Sequence, residues 1–374
     1  MTETTSQPLS TTEAADLQAF DHVEFWVGNA KQAAYFYTRA FGFRCVAYAG
    51  PETGVKDRAS YVLRQNDIVL VFTCSLQPEG PVADHVRLHG DGVRDVAFRV
   101  QDVDAAFAAL VARGARPAVE PHTLEGAGGQ VRRASVHTYG DTLHSLIGRD
   151  DFAGPFLPGF EAREPIAAVP GGLGRIDHIV GNVGWNEMNP MVEHYVNVFG
   201  FHPFVSFDDK DISTEFTALR SVVVANPRET IKMPINEPAE GKKRSQIEEY
   251  IDFYRGPGVQ HLALTTADIV ETVSRLRDAG VEFLLPPEAY YEQLAERLVG
   301  VDFHEDIERL KPLGILVDHD EKGYLLQIFT KPMTDRPTLF FEIIQRKGSD
   351  SFGKGNFKAL FEAIEAEQAR RGTL

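Results

Sequence analysis

The sequence predicts an α+β protein built by tandem duplication, and three observations carry that prediction. The two halves of the 374-residue chain repeat one pattern of strand and helix, a segment rich in proline and glycine separates them, and hydrophobic period switches between two and three-to-four within each half. At roughly 150 residues per domain the length also suits two units. DHVEFWVGNAKQAAYFYTRAFGF at 21–43 matches DHIVGNVGWNEMNPMVEHYVNVFGF at 177–201: a short strand, a helix, then an aromatic, glycine and phenylalanine. GVRDVAFRVQDVDAAFAALVARGA at 92–115 matches GVQHLALTTADIVETVSRLRDAGV at 258–281 in the same way.

The elements follow in order. Residues 1–20 carry no basic region and no apolar run, so they read as a frayed tail rather than a leader. In the first half, 21–151, Val103, Phe107 and Leu110 form the apolar stripe of a helix that Asp102 starts and Gly114 stops. Residues 152–175 hold four prolines and five glycines, a composition that resists helix and sheet and marks a linker. In the second half, 176–374, Ile269, Val273 and Leu276 repeat the stripe between Asp268 and Gly280. This half is longer, with an insertion that includes PPEAYYEQLAERLVG, and added material over one copy suggests that only that copy works. The C-terminal GNFKALFEAIEAEQARRG reads as an amphipathic helix with Phe357, Leu360, Phe361 and Ile364 on one stripe, Asn356 as its N-cap and glycine-rich SFGKG as a hinge.

Composition excludes several functions. A net charge of -16 opposes phosphate backbones and anionic lipid. No stretch reaches the ~20 apolar residues of a membrane span. Two cysteines, Cys45 and Cys74, supply neither a disulfide framework nor a thiolate metal site. The expected setting is cytoplasmic, without nucleic acid or membrane as partner.

Strand parity then picks out a metal site. Counting by twos puts His178 with Ile176 and Val180, and His261 with Val259 and Ala263, on inward faces. In TLFFEIIQR it puts Glu342 beside Phe340 and Ile344, where an unpaired carboxylate is costly. A lone strand histidine is more often a satisfied core residue than a ligand. Here, however, the histidines occupy the first strands of the two repeated units and the glutamate the closing strand, so the repeat gathers all three around one centre. Two histidines and one carboxylate leave adjacent positions open on a divalent metal, as non-haem Fe(II) requires for oxygen chemistry. His89, His194, His304 and His319 read as surface residues. The first half has His22 opposite His178, Asp95 opposite His261 and Ser145 opposite Glu342, which makes it a scaffold without a working site.

Four strand–helix units in tandem pairs resemble the vicinal oxygen chelate superfamily, whose modules curl small sheets into open β-barrels around a metal. More narrowly, the chain resembles the 4-hydroxyphenylpyruvate dioxygenases along nearly its whole length. The resemblance rests on IDHIVGNV, MPINEP, KKRSQIEEY, GVQHLAL, GYLLQIFTKP, RPTLFFEIIQR and SFGKGNFKALFEAIE. It implies one Fe(II) per chain on His178, His261 and Glu342, and a polar network of Ser221, Asn236, Gln246 and Gln260 at the phenol end of a substrate pocket. It further implies Gln327 near the metal, an aromatic lining of Phe329, Phe340, Phe352 and Phe357 with Asn356 beside it, and a C-terminal helix that closes the pocket. The implied substrates are 4-hydroxyphenylpyruvate and O2, the products homogentisate and CO2, and the assembly a dimer or tetramer. No side chain need act as general acid or base. The related hydroxymandelate synthases share substrate and metal but tend to carry apolar residues at the positions of Asn236 and Phe357. Metal-free binding proteins of the superfamily lack the full triad, and glyoxalase-like isomerases keep a fourth protein ligand.

Overall fold

The computed structural model describes residues 15–149, 151–164, 171–208 and 213–374. Among these, the first sheet is formed by β1 (Ala19–Trp26), β2 (Arg44–Ala49), β3 (Arg58–Gln65), β4 (Ile68–Ser75), β5 (Gly92–Arg99), β6 (Pro117–Gly126), β7 (Gly129–His137), β8 (Leu143–Gly148) and β9 (Glu161–Ala162), in the order β6-β7-β8-β5-β1-β4-β3-β2-β9. The second is formed by β10 (Leu173–Asn182), β11 (His202–Phe207), β12 (Ala218–Ala225), β13 (Lys232–Ala239), β14 (Gly258–Thr266), β15 (Leu316–Asp320), β16 (Gly323–Phe329) and β17 (Phe340–Lys347), in the order β11-β12-β13-β10-β14-β17-β16-β15. Without β9 the two orders superimpose strand for strand, β1 on β10, β5 on β14 and β8 on β17. Each sheet centres on an antiparallel pair, β1–β5 or β10–β14, flanked by parallel partners. This is the duplicated, curled α+β architecture that the repeat predicts.

The helices are α1 (Ala30–Ala40), α2 (Pro81–His89), α3 (Val103–Ala112), α4 (Met188–Asn197), α5 (Gln246–Tyr254), α6 (Ile269–Asp278), α7 (Ala289–Arg297), α8 (Ile307–Leu310) and α9 (Phe357–Arg371). Asp102 and Asp268 accept from Ala105 N and Glu271 N at 2.9 Å each, so both predicted N-caps form. The apolar faces of α1, α3 and α6 join the strand interiors in one large core, which includes Val103, Phe107 and Leu110 beside Ile269, Val273 and Leu276. Phe41 and Phe341, one from each half, pack there at 5.3 Å between ring centroids.

Three sequence expectations change. The tail does not fray through residue 20: Ala15 and Leu17 are buried, and Leu17 O accepts from Asn226 Nδ2 at 2.9 Å. The remainder of the tail lies outside the described residues. The linker is not free of sheet, because Glu161–Ala162 pairs with β2 and Phe156 and Leu157 enter a core cluster beneath the first sheet. His89 is buried rather than exposed, with Nε2 2.9 Å from Asp141 and its ring stacked on Tyr254. No helix among the described residues is long and apolar enough to cross a membrane.

Candidate metal centre

Three neighbouring strands set the candidate ligands. Register pairs His178 with Ala263, Val180 with His261, His261 with Phe340 and Ala263 with Glu342, so the three side chains rise from β10, β14 and β17 on one face. Both histidine Nε2 atoms converge on Glu342 Oε2, at 3.2 Å from His178 and 3.4 Å from His261. Neighbouring ligand atoms held at about 2.1 Å from a metal at right angles are about 3 Å apart, so the donors fit a divalent cation with little adjustment. All three residues are buried, and among the described residues they form the one cluster of three or more potential ligands.

Irregular pairing corrects the simple parity count. The register shifts between Ile176 and His178 and again between Val180 and Gly181, where β14 carries the extra residue Gln260. These bulges turn two successive residues to the same side. Ile176, paired with Leu264, therefore joins the core instead of sharing a face with His178, and Val259 joins the core instead of accompanying His261. In their place Asp177 and Gln260 come beside the ligands.

Both displaced residues hold the histidine rings. His178 Nδ1 donates to Asp177 Oδ2 at 2.8 Å, and His261 Nδ1 donates to Gln260 Oε1 at 2.9 Å. A carboxylate only accepts, so Nδ1 of His178 carries a proton toward Asp177, and Nε2 is the nitrogen left to offer its lone pair to a metal. Asp177 is itself gripped by Arg346, whose Nε and Nη2 donate at 2.9 and 2.7 Å. Arg346 also donates to Ser351 O at 2.6 Å and lies over the ring of Phe352 at 5.5 Å.

Electrostatics follow from this layout. Burial is the largest influence on all four groups and opposes their charged forms. Against it, the facing histidines hold the Glu342 carboxyl down at about 2. His178 and Arg346 keep Asp177 well below the usual carboxylate range. For His178, Glu342 and Asp177 together outweigh burial and raise the imidazole. His261 has Glu342 but only the neutral amide of Gln260, and burial prevails, lowering it.

Beside the cluster lies a cavity with about 570 Å³ of empty space, part of it open to solvent. Of the residues named from the sequence it brings together His178, His261, Glu342, Ser221, Asn236, Gln246, Gln260, Phe329, Phe340, Phe352 and Phe357. The remaining wall is apolar: Val180, Phe207, Leu219, Val223 and Pro234 from strands, with Leu360, Phe361 and Ile364 from α9. Leu219 and Val223 could be found by parity from Ser221, and Pro234 from Asn236. Asn182 stands behind Asn236, whose Nδ2 donates to it at 3.3 Å.

Two expected residues are elsewhere. Gln327 shares the strand face of Phe329 but lies beneath Gly353, where φ is +78° and a Cβ would come within 2.1 Å of Gln327 Oε1. Asn356 precedes α9 without capping it through its side chain; the side chain is buried and turned toward α7, with Oδ1 accepting from Tyr290 Oη at 2.7 Å. The chain just ahead of SFGKG is tied down: Asp320 Oδ2 accepts from Ser349 Oγ, Asp350 N and Ser351 N at 2.8 to 3.0 Å.

The first half repeats the frame without the ligands. A register shift precedes His22, and His22 Nδ1 donates to Asp21 Oδ1 at 2.7 Å. Arg149 pairs with Asp21 and lies over Phe156 at 5.4 Å, as Arg346 does with Asp177 and Phe352. Asp95, however, is occupied by Arg133 and by the backbone N–H and hydroxyl of Ser145.

Comparison with known proteins agrees with this duplication. The family model described as "Glyoxalase/Bleomycin resistance protein/Dioxygenase superfamily" matches residues 19–141 and 175–328. The chain is similar to a 4-hydroxyphenylpyruvate dioxygenase of Yarrowia lipolytica, 53% identical over 96% of this chain and 94% of that protein. Proteins of the same name are 52% identical in Xenopus tropicalis (95% and 93% covered) and 50% identical in Aspergillus fumigatus (96% and 95%). Among solved structures, a mutant 4-hydroxymandelate synthase from Streptomyces coelicolor superimposes with a TM-score of 0.82 at 35% identity, over 94% of this chain and 99% of that one.

Proposed function

Since the chain belongs to the 4-hydroxyphenylpyruvate dioxygenase family of the glyoxalase/bleomycin resistance protein/dioxygenase superfamily, we propose that it is the enzyme converting 4-hydroxyphenylpyruvate and O2 to homogentisate and CO2, in tyrosine catabolism. The observation that carries this reading is the convergence of two neutral-capable histidine nitrogens and one buried carboxylate oxygen at the end of a largely apolar cavity.

His178, His261 and Glu342 would hold one Fe(II) per chain. Iron supplies the oxidising chemistry toward O2 that side chains lack. The chain's own residues do the rest. Asp177 and Gln260 fix the imidazole rings so that Nε2 faces the metal position. The aromatic rings of Phe329, Phe340, Phe352 and Phe357 enclose the substrate ring, and the mostly apolar wall with α9 keeps water out. Ser221, Asn236, Gln246 and Gln260 offer donors and acceptors to the neutral phenol. No side chain need act as general acid or base. Gln327 and Asn356 support the wall rather than touch the substrate.

In this reading 21–151 is a scaffold half without a working site, 152–175 is the linker, and 176–374 is the catalytic half with its closing helix. The enzyme works in the cytoplasm as a dimer or tetramer, which light scattering tests. The decisive experiment is anaerobic reconstitution with Fe(II), addition of 4-hydroxyphenylpyruvate and O2, and identification of the product by mass spectrometry. Homogentisate supports the proposal, and 4-hydroxymandelate would assign the chain to the synthases instead. Bound substrate without O2 consumption would make it a binding protein.

A further inference from the structure

The insertion that lengthens the second half supplies α7, and α7 contributes nothing to the cavity lining. Its side chains reach Asn356 instead. Tyr290 Oη accepts from Val317 N at 2.7 Å and has two acceptors for its one proton, Asn356 Oδ1 at 2.7 Å and, longer, Val317 O at 3.0 Å; the shorter bond to Asn356 is the better one. Arg297 Nη2 lies 3.5 Å from the same Oδ1 and donates to Val317 O at 3.1 Å, and its guanidinium sits over the Tyr290 ring. The guanidinium can only donate, so it fixes Oδ1 as the amide atom that faces Tyr290. Asn356 Nδ2 is buried without a partner among the described residues, and of these Tyr290 and Arg297 are what hold the amide. The approach is close: a Cβ at Gly355 would stand 2.4 Å from Arg297 Nη2 and from Asp318 Oδ1. Asn356 is followed directly by Phe357, the first residue of α9 and a wall of the cavity.

We propose that Tyr290 is a positioning residue for the substrate pocket, acting through Asn356 to set where α9 begins and so where the Phe357 ring stands. The proposal rests on reading the cavity as the substrate site. It also gives a role to the insertion, which the first half lacks.

Tyr290→Phe removes one hydroxyl and keeps the ring, so the fold survives the test. Hydrogen exchange on the metal-free protein is expected to accelerate roughly three- to tenfold at the Phe357–Phe361 amides, from loss of the hydrogen bond to Asn356, with α1 unchanged. In the Fe(II)-loaded enzyme KM for 4-hydroxyphenylpyruvate rises by the same factor, while kcat and bound iron stay within about twofold. Asn356→Ala should reproduce the effect, and the double variant should be no worse than either single one. Unchanged exchange and KM, equal acceleration in α1, or additive effects would each overturn the proposal. The exchange measurement needs no substrate, so it decides the positioning role even if the wild-type protein makes no homogentisate.

Discussion

The ring of Phe352 meets the ring of His178 edge-on, 5.0 Å between centroids at an interplanar angle of 60°. A candidate metal ligand is thus covered by the same turn that leads into α9.

Phe352→Ala is expected to open that cover. Thermal stability falls by no more than about 3 kcal/mol, the low end for truncating a core phenylalanine, because Phe352 borders a cavity. Homogentisate formed per O2 consumed drops several-fold as water gains access. An oxygen electrode run alongside product quantitation measures the ratio; an unchanged ratio refutes the covering role.

Asp177→Asn leaves a hydrogen-bond acceptor for His178 but removes the charge that Arg346 grips. Loss of such an orienting carboxylate typically weakens metal binding roughly 10- to 100-fold. Competition against a chelator of known affinity reads the change directly, and affinity equal to wild type would show that ring orientation does not depend on this pair.

His22→Ala separates the two halves. Metal content should remain one per chain with turnover within about twofold, whereas His178→Ala loses both. Elemental analysis of the two variants after identical loading decides it; a halved metal content in His22→Ala would reveal a second site.

Asp21 makes part of the stability pH-dependent. Burial pushes its carboxyl up, but the hydrogen bond from His22 and the charges of His22, Arg149 and Arg99 prevail and hold it at about 2 against an ordinary 3.8. A carboxyl depressed in the folded state contributes stability above its unfolded value and loses it as pH falls through the folded one. That contribution is about 2 kcal/mol, complete above pH ~5, mostly lost by pH ~2 and gone near pH ~1. The difference in Tm between wild type and Asp21→Asn should therefore shrink between pH 5 and 2 and stay constant from 5 to 7.

Much of this was legible in the sequence, for a physical reason: strands alternate by two and the repeat doubles each signal, so His178, His261 and Glu342 could be placed on one face from spacing alone. The bulges could not, since an extra residue in one strand is defined by its partner strand. They decide that Asp177 and Gln260, rather than Ile176 and Val259, stand beside the ligands. Asn356 misled for a related reason. Its place before an amphipathic helix suggests a cap, but the buried amide answers to Tyr290, 66 positions away in sequence. In the linker, composition signalled the absence of helix and concealed that Phe156 fills the first half's interior.

The shifted register before His22 carries a consequence for how the two halves diverged. The backbone that presents a ligand is intact on both sides of the molecule, down to the carboxylate that holds the ring and the arginine that holds the carboxylate. At the ligand positions the two copies differ in side chains hung on that frame, aspartate for histidine at 95 and serine for glutamate at 145. A duplicated gene can cross that distance by a few substitutions while its fold stays fully employed as scaffold.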